Sequence, residues 1–121
     1  MRELKFKCWD VDKKEWVGEG NAMNLNYSGS ANCFLFDNDS YDIPDNVIWE
    51  QFVGIKDKDS TEVYEDDILK ADDGKDYLVE WYQPLNCFLA RHFGGDGVLF
   101  EKIGDFLVVG NRYENPDLFY Y

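Results

Sequence analysis

The stretch Gln51-Phe52-Val53-Gly54-Ile55-Lys56-Asp57-Lys58-Asp59-Ser60-Thr61-Glu62-Val63-Tyr64-Glu65-Asp66-Asp67-Ile68-Leu69 reads as strand, turn and strand. Val47, Ile48, Trp49 and Phe52, just ahead of and inside it, fit a strand or a short helical turn by spacing alone. Their β-branched and aromatic character favours the strand over 45–52. Asp57-Lys58-Asp59-Ser60 has the chemistry of an Asx turn, in which the aspartate side chain bonds its own backbone two residues on. Val63-Tyr64 begins the next element, and Asp66-Asp67 form an acidic turn before a strand over 68–71.

The same pattern continues on both sides. Toward the N-terminus, Leu4, Phe6 and Cys8 alternate with Glu3, Lys5 and Lys7, the period of a half-buried strand. Residues 10–14 are a polar turn and Glu15-Trp16-Val17 return as the partner strand. Met23, Leu25 and Tyr27 mark a third strand and 33–36 a fourth, before an acidic loop through Asp37, Asp39, Asp42 and Pro44. Toward the C-terminus, Asp72-Asp73-Gly74-Lys75 is a hairpin turn with Asp-Gly at its centre. Tyr77, Val79 and Trp81 then alternate with Leu78 and Glu80. Pro84-Leu85-Asn86 turns the chain into a strand over 87–93, Gly94-Gly95-Asp96-Gly97 is a tip, and 98–102 and 106–110 finish the sheet. The segment 113–121 lies as coil or a short turn over the barrel end. Short strands separated by turn signals predict a mainly β barrel or sandwich with little helix.

Four segments carry a family resemblance. They are Lys5-Phe6-Lys7-Cys8-Trp9-Asp10, the run from Gln51 to Ser60, Val63-Tyr64-Glu65-Asp66-Asp67-Ile68, and Gly110-Asn111-Arg112-Tyr113-Glu114-Asn115-Pro116-Asp117-Leu118. In this order and spacing they resemble the YopX family, small proteins encoded by bacteriophages and prophages. The chain departs from the family pattern at Val53, Ser60 and Asp66, where the family tends to have Thr, Gly and Gly. Two lost glycines imply turns that avoid positive φ or residues that tolerate it. The resemblance implies a mostly β fold, with an SH3-like β-barrel in the C-terminal half packed with an N-terminal β-hairpin and strand lobe. It brings no established activity, so no catalytic residue is carried over.

The 121 residues make one domain over 1–121, with a seam near 37–50 between the N-terminal β lobe and the barrel. Hydrophobic residues are 45% and aromatics 17%, enough for a packed interior despite the charge. The net charge of −13 argues against direct contact with nucleic-acid phosphates or anionic membranes, since no basic surplus exists to displace counterions. It fits high solubility, a basic partner, or an acidic decoy that imitates nucleic acid. Cys8, Cys33 and Cys87 sit in apolar runs without Cys-x-x-Cys spacing, which predicts buried reduced thiols and a bacterial cytoplasmic location. The start alternates charge with apolar residues instead of opening a signal peptide. No apolar run is long enough to span a bilayer as a helix.

Chemistry-bearing constellations are few. Cys87 and the single histidine, His92, stand five apart on one expected strand, which places them on opposite faces roughly 17 Å apart and defeats a nucleophile–base pair. Asp57-x-Asp59-x-Thr61 opens like a calcium loop, but Glu62 and Ile68 occupy the places that need Gly and Glu. Glu62, Glu65, Asp66, Asp67, Asp72 and Asp73 form an acidic group that reads as a solvated rim ahead of a cation site. No catalytic, cofactor or metal residue is expected, and the chain reads as a non-enzyme. Phe119, Tyr120 and Tyr121 are candidate protein-contact residues, because aromatics bury large area at low entropy cost. The expected partner is an unknown host or phage protein, or a second copy of the chain.

Overall fold

The structure, a computed structural model, describes residues 5–20, 23–28, 33–36, 44–92, 95 and 97–118, with 19–20, 23–28 and 33–36 by their backbone. The protein is mainly β; the described residues form eleven strands in two antiparallel sheets, and helix among them is confined to short 3-10 turns. It divides into two compact units, Met1–Phe52 and Val53–Tyr121.

In the first unit β1 (Lys5–Asp10) is central. One edge pairs with β5 (Val47–Lys56), from Phe6 opposite Gln51 to Asp10 opposite Val47. The other edge takes β2 (Glu15–Trp16) at its end and β3 (Met23–Ser28) at its start, and β3 carries β4 (Cys33–Phe36) outside it. Trp9 lies opposite Trp16, and their rings meet edge to face with centroids 5.0 Å apart, a favourable cross-strand pair. The turn between β1 and β2 is fixed by Asp10, whose Oδ1 accepts the N–H groups of Asp12 and Lys13 at 3.0 Å each. Cys8 packs in the interior with Val17, Val47 and Trp49. Burial, and then the charge of Asp10, push its thiol up to about 11.

The expected strand over 15–17 ends earlier. A 3-10 turn begins at Val17, and Gly18 takes φ +62°, a conformation that leaves the ladder. The strand expected over 45–52 is observed, and it runs on to Lys56 in the second unit.

In the second unit the strands are β6 (Glu62–Tyr64), β7 (Asp67–Ala71), β8 (Asp76–Tyr82), β9 (Cys87–His92), β10 (Gly97–Val98) and β11 (Phe106–Asn111). β6 follows the end of β5 through the turn 57–61, and the other five form a sheet in the order β10-β9-β8-β7-β11. One face of this sheet carries the main core: Val63, Leu69, Ala71, Tyr77, Val79, Phe88, Ala90, Ile103 and Phe106. The period-two pattern explains that face. Leu78 departs from it, because the opposite face is also covered: Leu78 and Ile68 pack there under Leu118, which ends a 3-10 turn at Pro116–Leu118.

Two expectations in this unit need correction. The strand expected over 98–102 stops at Val98, and a 3-10 turn follows at Phe100–Lys102. Phe100 and Ile103 stand three apart, the repeat of that turn, so the turn aims both at the core. Trp81, read as core from its alternation, is 41% exposed. β7 pairs with β8 only through 76–78, so from Glu80 onward β8 and β9 run out as a two-stranded ribbon.

Candidate functional site

Several polar residues of the four family-like segments hold the fold itself. Asp57 is buried, and its Oδ1 accepts the N–H groups of Asp59 and Thr61 at 2.9 Å each. Its Oδ2 accepts the N–H of Val108 at 2.9 Å. Burial opposes its charge, but the N–H groups of Val108, Thr61 and Asp59 and the Lys58 ammonium outweigh it and hold the carboxyl below its ordinary range. Asp57, which opens the calcium-like pattern, is therefore turned inward on the chain's own amides, while Asp59 and Thr61 are exposed and supply two of those amides. At the C-terminal motif, Asn111 Oδ1 accepts the N–H groups of Tyr113 and Glu114, and its amide donates to Glu114 at 2.8 Å. A Cβ at Gly110 would stand 2.5 Å from Asn115 Oδ1, so this position has room for glycine alone unless Asn115 moves.

Glu62, Asp66, Asp67, Asp72 and Asp73 also bond within the chain. Glu62 accepts the Tyr64 hydroxyl at 3.1 Å, and Asp67 accepts the Tyr64 N–H at 2.8 Å. Asp66 accepts the Tyr113 hydroxyl at 3.0 Å and pairs with Arg112 at 3.2 Å. Its backbone joins in: Asp66 N–H donates to Val79 and Arg112 N–H to Asp66. Asp72 pairs with Lys58 at 3.0 Å; that bond, then the Asp72 charge, raises the ammonium above its usual range. Asp73 accepts the Lys75 N–H at 2.8 Å and the Tyr77 hydroxyl at 3.4 Å. Burial, then the Asp73 charge, raises the Tyr77 phenol. Glu65 is half-buried beside them. Among the described residues no three His, Cys, Asp or Glu side chains converge on a common point.

Ser60 and Asp66, which stand where the family has glycine, both keep the left-handed backbone, at φ +68° and +66°. The turn geometry is retained with a side chain added, and at Asp66 that side chain makes the bonds to Arg112 and Tyr113.

Cys87 and His92 occupy opposite ends of the unbroken strand β9. His92 Nδ1 lies 3.0 Å from the Asp76 carbonyl oxygen, and its ring tilts against Tyr77. Phe119, Tyr120 and Tyr121 lie outside the described residues.

The feature that sequence reading missed is the β8–β9 ribbon. Six consecutive residues, Trp81-Tyr82-Gln83-Pro84-Leu85-Asn86, are exposed. Trp81 and Tyr82 are each 41% exposed and Leu85 is 63% exposed. A 3-10 turn at Gln83–Leu85, with Pro84 at its start and Asn86 left-handed at φ 50°, closes the ribbon. The Trp81 ring is held edge to face on Phe88 at 5.0 Å, and its N–H donates to Gln83. On the face away from the core, a hollow of about 500 Å³ is lined by Glu80, Tyr82, Leu85, Leu89, Arg91 and Gly97, among others. Arg91 and Glu80 pair within it. Leu85, an apolar residue between Pro84 and Asn86 at a turn, was the available signal.

A family model described as YopX protein matches residues 5–120. The chain belongs to the YopX family. The crystal structure of protein EF1440 from Enterococcus faecalis is similar to this YopX chain with a TM-score of 0.65 and 23% identity, over 98% of this chain and 99% of that one. At that identity the likeness is one of fold. No curated protein matches the chain. No helix among the described residues is long and apolar enough to cross a membrane.

Proposed function

We propose that this YopX protein is a non-enzymatic phage or prophage accessory protein that works in the bacterial cytoplasm by binding another protein. The observation that carries this reading is the exposed ribbon tip, where Trp81, Tyr82 and Leu85 gather around an open hollow. Tryptophan and tyrosine side chains are the usual anchors of protein contacts. The acidic residues over 62–73 are engaged in turns and hairpins, which weighs toward the ribbon as the contact surface. We read the second unit as an SH3-like barrel. Its support is a five-stranded antiparallel sheet whose last strand meets the 57–61 turn. Fold by itself does not choose the partner.

A tagged pull-down from host lysate and from infected cells, at low and at high salt, tests the reading by mass spectrometry. One stoichiometric protein retained at high salt is the expected result. Capture that vanishes at high salt would favour the acidic decoy, whose attraction is screened. Light scattering decides whether the captured protein is a second copy. No capture in either extract, with a monomer at all concentrations, would overturn the binding role.

A further inference from the structure

The hollow on the β8–β9 ribbon has two chemical halves. Leu85, Leu89 and the Tyr82 ring form an apolar wall, and Glu80 and Arg91 close one side with side chains 33% and 34% exposed. Gly97 lines the β10 side, where a Cβ would stand 3.0 Å from a Leu89 methyl, a tight contact that glycine avoids. A carboxylate has lone pairs beyond those one guanidinium takes, so Glu80 can accept a second cation while holding Arg91.

Charge narrows the occupant. The molecule carries −13, so an anionic ligand is repelled, and a second copy brings the same charge. A cationic chain is drawn in. An apolar wall beside the Glu80–Arg91 pair suits an aliphatic side chain followed by a basic one that shares the Glu80 carboxylate. Building on the protein-binding reading, we propose that the hollow is the docking site for a basic polypeptide segment of the partner. The segment sets an apolar side chain against Tyr82, Leu85 and Leu89 and brings a lysine or arginine to Glu80.

Fluorescence polarisation with three labelled short peptides tests this: alternating Lys-Leu, alternating Lys-Ser and alternating Glu-Leu. The Lys-Leu peptide should bind best. The double variant Tyr82→Ser/Leu85→Ser keeps the net charge and should weaken that binding about tenfold or more, as loss of central anchors does. Glu80→Gln should weaken it several-fold, most clearly at low salt. Leu99→Ser, at an exposed apolar residue outside the hollow, should leave it unchanged and serves as the folding control, with circular dichroism of every variant. Equal binding of Lys-Ser and Lys-Leu, equal binding of Glu-Leu, indifference to the double variant or to Glu80→Gln, or no binding of Lys-Leu would each overturn the proposal. A partner captured in the pull-down equally well by wild type and by Tyr82→Ser/Leu85→Ser would overturn this site and leave the binding role standing.

Discussion

Asp57 and Val108 stand 51 residues apart in sequence, and the carboxylate of the first accepts the backbone N–H of the second at 2.9 Å. The same turn reaches β11 once more, through Lys58 N–H to the Phe106 carbonyl at 3.2 Å. Asp57→Asn keeps an acceptor for two of the three N–H groups but turns an NH2 toward one of them. A lost charged bond with its donor left buried should cost about 1–3 kcal/mol, read by urea denaturation at neutral pH. Asp57→Ala should cost more.

The same residue sets an acid limb. Its folded-state pKa lies below the ordinary value, so the stability it contributes is present above the unfolded pKa and lost as pH falls through the folded one. Denaturation midpoints of the wild type should therefore drop as pH falls below 3.8, the ordinary value of an aspartate in the unfolded chain. Asp57→Asn should show a flatter profile over that window. Parallel profiles for the two proteins would remove Asp57 as the titrating group.

Ser60 and Asp66 make opposite predictions from the same backbone angle. Ser60 is exposed and strained at φ +68°, so Ser60→Gly should stabilise by about 0.5–1 kcal/mol. Asp66→Gly relieves a similar strain but loses the bonds to Tyr113 and Arg112, and should destabilise. In a Tyr113→Phe background the loss at Asp66 should shrink, which a double-mutant cycle measures.

Gly110→Ala forces a Cβ onto Asn115 and should cost about 1–3 kcal/mol of overpacking. In an Asn115→Ala background that cost should fall, since the blocking side chain is gone. An equal cost in both backgrounds would place the problem in the β11 bulge between Val108 and Gly110 instead.

Cys8 should resist alkylation in the folded protein at mildly alkaline pH, while the half-buried Cys87 reacts; peptide mapping after brief labelling separates them. Because burial raises the Cys8 pKa, the stability it contributes is present below 9.0 and lost as pH rises toward about 11. Cys8→Ala should remove that part of the alkaline limb.

The parts of this fold legible in sequence are those whose cause is local. Asp57 and the Asp73-Gly74 pair write their turns in their own side chains or lack of one. What could not be read has distant causes. Leu78 is buried because Leu118, forty residues on, covers the outer face. Phe100 and Ile103 leave the strand because the core they meet is built by other elements. Nothing in the order of the six acidic residues shows that Tyr64, Arg112, Tyr113 and a local amide would engage Glu62, Asp66 and Asp67, while Asp72 and Asp73 stay exposed. Trp81 keeps the strand period yet lies beyond the end of β7, and period alone carries no information about where a neighbouring strand stops.

The attachment of the 57–58 turn to Phe106 and Val108 has a consequence for the behaviour of the chain in crowded conditions. Those backbone groups stand on the outer side of the sheet's last strand, where another molecule could otherwise add strand after strand. With the turn in place the Phe106 carbonyl and the Val108 N–H are occupied from within, which disfavours pairing of another strand at that end. Acid strong enough to protonate Asp57 would weaken the carboxylate half of this attachment and leave the Lys58 N–H bond to Phe106 in place.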